Sequence, residues 1–143
     1  MAPKKDRKWI WVDPALAEYP AWTGVGKGLT EADRAEMAVG IELIQRHEMR
    51  KWEGLSAPRN IFTWKSSSGN EVDFLVVQVA KGLRAPYEVK YQNQIKEQDF
   101  QVMERSFGKG TLLTVDQSRK KDKSHVVPTG EWCLAGKVDE GGP

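Results

Sequence analysis

Cysteine is nearly missing from this sequence: Cys133 is the only one in 143 residues. A lone thiol excludes an internal disulfide and a thiolate metal cluster, and with no catalytic His–Asn context it reads as a small apolar residue. Long apolar runs are missing too, since none approaches the roughly 18–20 residues that cross a bilayer. The charged start Met1-Ala2-Pro3-Lys4-Lys5 has no apolar stretch behind it, which excludes a secretory signal and makes a cytoplasmic, membrane-free protein the expectation. A strong charge of one sign is lacking as well, and a net +2 is too small to prove nucleic-acid binding. Finally, no phosphate loop is present. Thr23-Gly24-Val25-Gly26-Lys27-Gly28 has Ala21 where a Walker A loop needs its first glycine, and Gly28 where it needs Ser or Thr.

What remains has the composition of one soluble globular domain, with 39% hydrophobic and 29% charged residues. The domain is expected to span residues 1–143, with 1–7 and 137–143 as flexible tails. Lys8–Asp13 reads as extended, and Asp13-Pro14 as the capped start of a brief helix. Thr30 to Glu53 is the clearest helix, opened by a Thr30/Asp33 capping box. Its apolar stripe carries Ala35, Ala38, Val39, Ile41, Leu43 and Ile44, with Glu36 on or beside it. Strands are expected at Ile61–Lys65, Val72–Val79, Ala85–Tyr91 and Thr111–Val115. A second helix is expected over Lys96–Ser106, ended by Gly108 and Gly110. After a basic loop at Arg119–Lys123, the remainder is a short strand or helix and a loose tail. The order helix, strand, strand, strand, helix, strand gives an α/β fold with a mixed central sheet of about four strands flanked by helices.

Chemistry concentrates in the middle of the chain. Asp73 interrupts an apolar strand, and Glu88 and Lys90 alternate with apolar neighbours on the next one. An even turn centred on Lys81-Gly82 would set Asp73 opposite Lys90 and Leu75 opposite Glu88, so that all three charges share one sheet face. An odd turn would separate them. Two carboxylates and a lysine on one face suit phosphodiester hydrolysis. A hard cation such as Mg²⁺ (or Mn²⁺) needs few protein oxygens, it activates a water, and the lysine neutralises the phosphorane charge. Glu36 could add a ligand, and His47, four residues after Leu43, could approach. The same pattern is also met by a cross-strand Asp73–Lys90 ion pair beside an exposed Glu88. Lys65, Gln92, Asn93 and the basic loop with Arg119, Lys120 and Lys121 could contact a nucleic-acid backbone, or could be ordinary solvated residues. Among the six tryptophans, Trp64 is the one most expected to be exposed and available for stacking.

Gly69-Asn70-Glu71-Val72-Asp73-Phe74 followed by Tyr87-Glu88-Val89-Lys90-Tyr91 resembles the C-terminal domain of a large family of prokaryotic AAA-type ATPases. That domain falls in the PD-(D/E)XK nuclease-like superfamily, with archaeal Holliday-junction resolvases and many restriction endonucleases. Trp11-Val12-Asp13-Pro14-Ala15-Leu16 resembles the family's first motif, and Glu36-Met37-Ala38-Val39-Gly40-Ile41-Glu42-Leu43 its helix motif. The resemblance runs over residues 8–135. It implies a restriction-endonuclease-like sheet, with Glu36, Asp73 and Glu88 as metal-site acids, Val89 beside them in the metal set, and Lys90 as catalytic lysine. It also implies a Mg²⁺-dependent DNA endonuclease of resolvase or restriction type, or a silent nuclease-fold module that binds nucleic acid or a partner ATPase. A homodimer follows by the same analogy. Since no Walker A loop occurs here, the chain is expected to be a truncated relative, an excised domain or a stand-alone nuclease.

Overall fold

The computed structural model describes residues 13–47, 60–92, 94–120 and 123–135. Asn93, Lys121 and the expected tails lie outside the described residues, as do the extended Lys8–Val12 segment and the end of the long helix beyond His47. Helix α1 (Pro14–Trp22) starts where its residues demand: Asp13 Oδ1 accepts the Ala15 N–H at 2.9 Å, and proline occupies the first turn. It continues through Pro20 to Trp22, further than the proline suggested. Helix α2 (Glu31–His47) opens on a reciprocal capping box. Thr30 N–H donates to Asp33 Oδ2 at 2.9 Å, and Asp33 N–H donates to Thr30 Oγ1 at 3.1 Å. Glu18 ties the two helices together, with Arg34 Nε donating to it at 2.7 Å.

Among the described residues the sheet has six strands rather than four, in the order β1-β2-β3-β4-β6-β5. They are β1 (Ile61–Lys65), β2 (Glu71–Gln78), β3 (Leu83–Lys90), β4 (Gly110–Thr114), β5 (Arg119–Lys120) and β6 (Ser124–Pro128). The first three form an antiparallel meander, while β3, β4 and β6 run parallel. Helix α3 (Gln98–Phe107) makes the β3-to-β4 crossover, and α4 (Thr129–Leu134) follows β6. The segment expected to be a short strand or helix is therefore both, one after the other.

Helices cover both faces. On one, Val39 and Leu43 of α2 and Trp132 of α4 pack with Phe74, Val76 and Leu113. On the other, Phe100 and Met103 of α3 pack with Val72, Leu112 and Val126. Strict alternation would put Val72, Phe74 and Val76 on one face, yet Val72 belongs to the α3 side and the other two to the α2 side. The β1–β2 register explains this. From Phe62↔Leu75 to Trp64↔Val72, β2 advances three residues against two on β1. One extra residue in β2 makes a bulge, and Asp73 sits in it.

Candidate functional site

The bulge gathers the charged residues. Pairing of β2 with β3 runs from Gln78↔Leu83 to Phe74↔Tyr87, with Leu75 opposite Pro86. The register is thus displaced by two residues from the expected one, and its continuation aligns Asp73 with Glu88 rather than with Lys90. The cause is the connection: a 3₁₀ turn over Val79–Lys81 closes on Gly82 in the left-handed region, at φ 62°. That makes a four-residue loop centred one position earlier than Lys81-Gly82. Because its length is still even, the three charges keep their common face.

At the bulge, side chains replace the strand ladder. Val89 N–H donates to Asp73 Oδ2 at 2.8 Å, and Asp73 N–H donates to Glu88 Oε2 at 3.3 Å. Lys90 Nζ reaches Glu88 Oε1 at 2.8 Å, with the Glu88 side chain 12% exposed and the Lys90 side chain 36%. Val89 takes part through its backbone, while its side chain packs with the α2-side core. Lys90 thus pairs with Glu88 on its own strand, and the Asp73 charge acts on it as well. Glu88 and Lys90 open into a cleft of about 310 Å³, completed by Glu71 at the start of β2 and by Gln98, Asp99, Val102 and Met103 of α3.

The electrostatics follow from burial and crowding. Burial pushes the Glu88 carboxyl above its ordinary value and the Asp73 charge pushes it further, and together they outweigh the opposing Lys90 ammonium. For Lys90, burial works to lower the value, but the Glu88 hydrogen bond and the charges of Glu88, Asp73 and Asp99 prevail and raise it. Two carboxylates share a half-buried place that one lysine does not fully neutralise.

The remaining candidates separate. Helix α2, which carries Glu36, packs on the face opposite the Glu88–Lys90 cleft. Among the described residues, no three of His, Cys, Asp and Glu form a group that could hold a metal ion, so Glu36 is not gathered with Asp73 and Glu88 as a third acid. His47 Nδ1 instead meets Gln78 Nε2 at 2.9 Å, at the opposite end of β2 from Asp73. Lys65 ends β1, which runs parallel to β3, so it lies at the same sheet end as Lys90, exposed and 3.6 Å from Glu71. Gln92 is exposed just beyond Lys90. Arg119 and Lys120 lie on the far edge strand, pairing with Val126 and His125. They are three strands from β3, about 14 Å at ~4.8 Å per strand, and the chain there runs toward the other end of the sheet. Trp64 is not exposed: it is half-buried, with its ring 5.2 Å from Phe107 in a T-shaped contact, while Trp22 is 69% exposed. Asp99 is the site residue that sequence reasoning missed. Its position three residues after Lys96, whose N–H it accepts at 2.7 Å, signals a helix cap and nothing about Lys90.

The class of protein so defined is a mixed α/β domain, with helices on both sheet faces and an acid–acid–lysine cluster at a strand bulge. The chain belongs to the family described as "Domain of unknown function (DUF4143)", whose model matches residues 35–132 and so takes in Glu36, Asp73, Glu88 and Lys90. No curated protein and no solved structure matches it. Among the described residues, no helix is long and apolar enough to cross a membrane.

Proposed function

We propose that this domain is a Mg²⁺- or Mn²⁺-dependent DNA endonuclease of the PD-(D/E)XK type, acting on branched or duplex DNA as resolvases and restriction enzymes do. The observation that carries the reading is the cluster at Asp73, where the β2–β3 register sets a second carboxylate and a lysine on the same side although they lie fifteen or more residues away in sequence. Asp73 and Glu88 would hold the cation, which supplies an activated water and charge stabilisation at the phosphorus. Val89 N–H fixes the Asp73 carboxylate, and Lys90 offers its ammonium to a phosphate oxygen or to the attacking water. Lys65 and Gln92, at the same sheet end, suit contacts to the phosphate backbone. The expected cleavage of duplex or four-way DNA needs the metal and is abolished by Asp73→Ala and by Lys90→Ala. Intact DNA under every metal and substrate tried would remove the enzymatic reading.

One observation favours a second reading, a silent module that binds nucleic acid or a partner AAA-type ATPase. The side-chain bonds at the bulge satisfy the backbone without any ligand, and among the described residues no group of three or more His, Cys, Asp or Glu could hold a metal ion. The motif resemblance to the C-terminal domain of AAA-type ATPases supplies the partner. Binding of DNA or of such an ATPase without cleavage would decide for this module.

A further inference from the structure

We propose that the outer face of α1, with the turn that follows it, is a self-association surface on which a second copy of this chain packs antiparallel about a two-fold axis. This is independent of how the Glu88–Lys90 cleft is read. Helix α1 shows its large apolar side chains to solvent and its small ones to the protein. Ala17, Glu18 and Ala21 are half-buried, whereas Leu16, Tyr19 and Trp22, three residues apart, are 56%, 60% and 69% exposed. A surface helix ordinarily does the reverse. Val25 extends the face at 84% exposure, and it is held there: its N–H and that of Gly26 both donate to Pro20 O, at 2.9 and 3.1 Å. The helix is fixed to α2 through Glu18, which accepts from Arg34 Nε at 2.7 Å and from Leu29 N–H at 3.3 Å. The face is therefore ordered before anything binds it, which lowers the cost of association. The other exposed large hydrophobics among the described residues, Phe62, Val79, Tyr91 and Leu134, lie singly on four separate segments.

Charge and area both point to a second copy as the occupant. A two-fold contact sets a patch against its own image, so a charge near the axis repels itself. Glu18 is the only charged residue of α1, and its side chain is 16% exposed and paired with Arg34, so the face carries no charge. With Tyr19 on the axis, antiparallel packing lays Leu16 against the partner's Trp22. The four side chains leave on the order of 500 Å² per copy, or about 1,000 Å² for the pair, which reaches the lower bound for a specific interface. An interface of that size fits a dimer with a Kd of roughly 10 μM. Sedimentation equilibrium of the whole chain, from about 1 μM to 1 mM, tests this. The mean mass of the wild type is expected to rise from the 16.2 kDa of one chain toward twice that. Leu16→Glu and Trp22→Lys each weaken the association about tenfold or more, and circular dichroism checks that both variants are folded. An equimolar mixture of the two associates more tightly than either alone, because antiparallel packing then opposes a carboxylate with an ammonium and Leu16 with Trp22. Val79→Glu, on the turn between β2 and β3, leaves the association unchanged. A wild type that stays monomeric throughout would overturn the proposal. So would a dimer that ignores both α1 substitutions, one lost equally in Val79→Glu, or a mixture no tighter than its components.

Discussion

Replacing Lys90 by methionine keeps the stem that covers the cleft and removes only the charge. Glu88 then keeps its burial and its proximity to Asp73 but loses its counter-ion. Breaking a fully buried pair costs 3–5 kcal/mol and breaking an exposed one at most about 1. With Glu88 12% exposed and Lys90 36%, the pair lies between these limits. After allowing for solvent screening at the lysine, a loss of about 1–2 kcal/mol is expected at pH 7, or roughly 3–8 °C in Tm for a chain of this length. The pH dependence fixes the cause. Glu88 titrates above its ordinary value of 4.5 in the folded protein. Between that value and its raised one, the native state binds more protons than the unfolded state, so stability rises as pH falls through the window. The gap between wild type and Lys90→Met therefore narrows as pH falls through that window. In the wild type the Lys90 contribution is present below 10.5 and is lost as pH rises through its higher folded value, so the curves also converge in strong alkali. Adding Glu88→Gln to Lys90→Met restores most of the loss. Thermal unfolding in metal-free buffer measures all of this. A Tm within about 1 °C of wild type, or a gap that ignores pH, would refute the account of the cluster as crowded and under-neutralised.

Two further outcomes test the frame that holds the site. Thr30→Ala removes one half of the α2 capping box and is expected to cost about 1 kcal/mol in urea unfolding. The Thr30 side-chain and backbone hydrogen bonds hold the Asp33 carboxyl below its ordinary value of 3.8, so the stability they lend is present above that pH and is lost as pH falls. Gly110→Ala would place a methyl carbon 2.6 Å from Met103 Sδ and 2.9 Å from Met103 Cβ, and is expected to destabilise by about 1–3 kcal/mol in the same assay.

Much of this arrangement was legible in the residues because local chemistry governs it. Asp13-Pro14 and Thr30/Asp33 mark helix starts through bonds made within three residues. Ile61–Lys65 is a strand over its expected bounds, and the other three expected strands differ by at most two residues at either end. The convergence of Asp73, Glu88 and Lys90 was legible as well, because face alternation survives any even displacement in register. What escaped depends on distant packing. The bulge at Asp73 comes from pairing with β1, which no pattern inside β2 announces. Strand β5 is two residues long and lies within the basic run, so polarity masked it. Glu36 sits next to an apolar stripe, and only the packing of α2 shows that this stripe faces the sheet side away from the cleft. Trp64 precedes a serine-rich turn, but Phe107, forty-three residues later, covers it. Asp99 reads as a helix cap, and its nearness to Lys90 arises only when α3 crosses over the sheet.

The central claim is that the bulged end of β2 forms a divalent-cation site from Asp73 and Glu88. Calorimetric titration of Mg²⁺ or Mn²⁺ into the wild type, Asp73→Asn and Glu42→Gln tests it most directly, because Glu42 is an acid of the same chain engaged by Arg46 at 2.7 Å on α2. Saturable binding in wild type and Glu42→Gln, lost in Asp73→Asn, is the expected result. Equal binding by all three proteins, or by none, would contradict it.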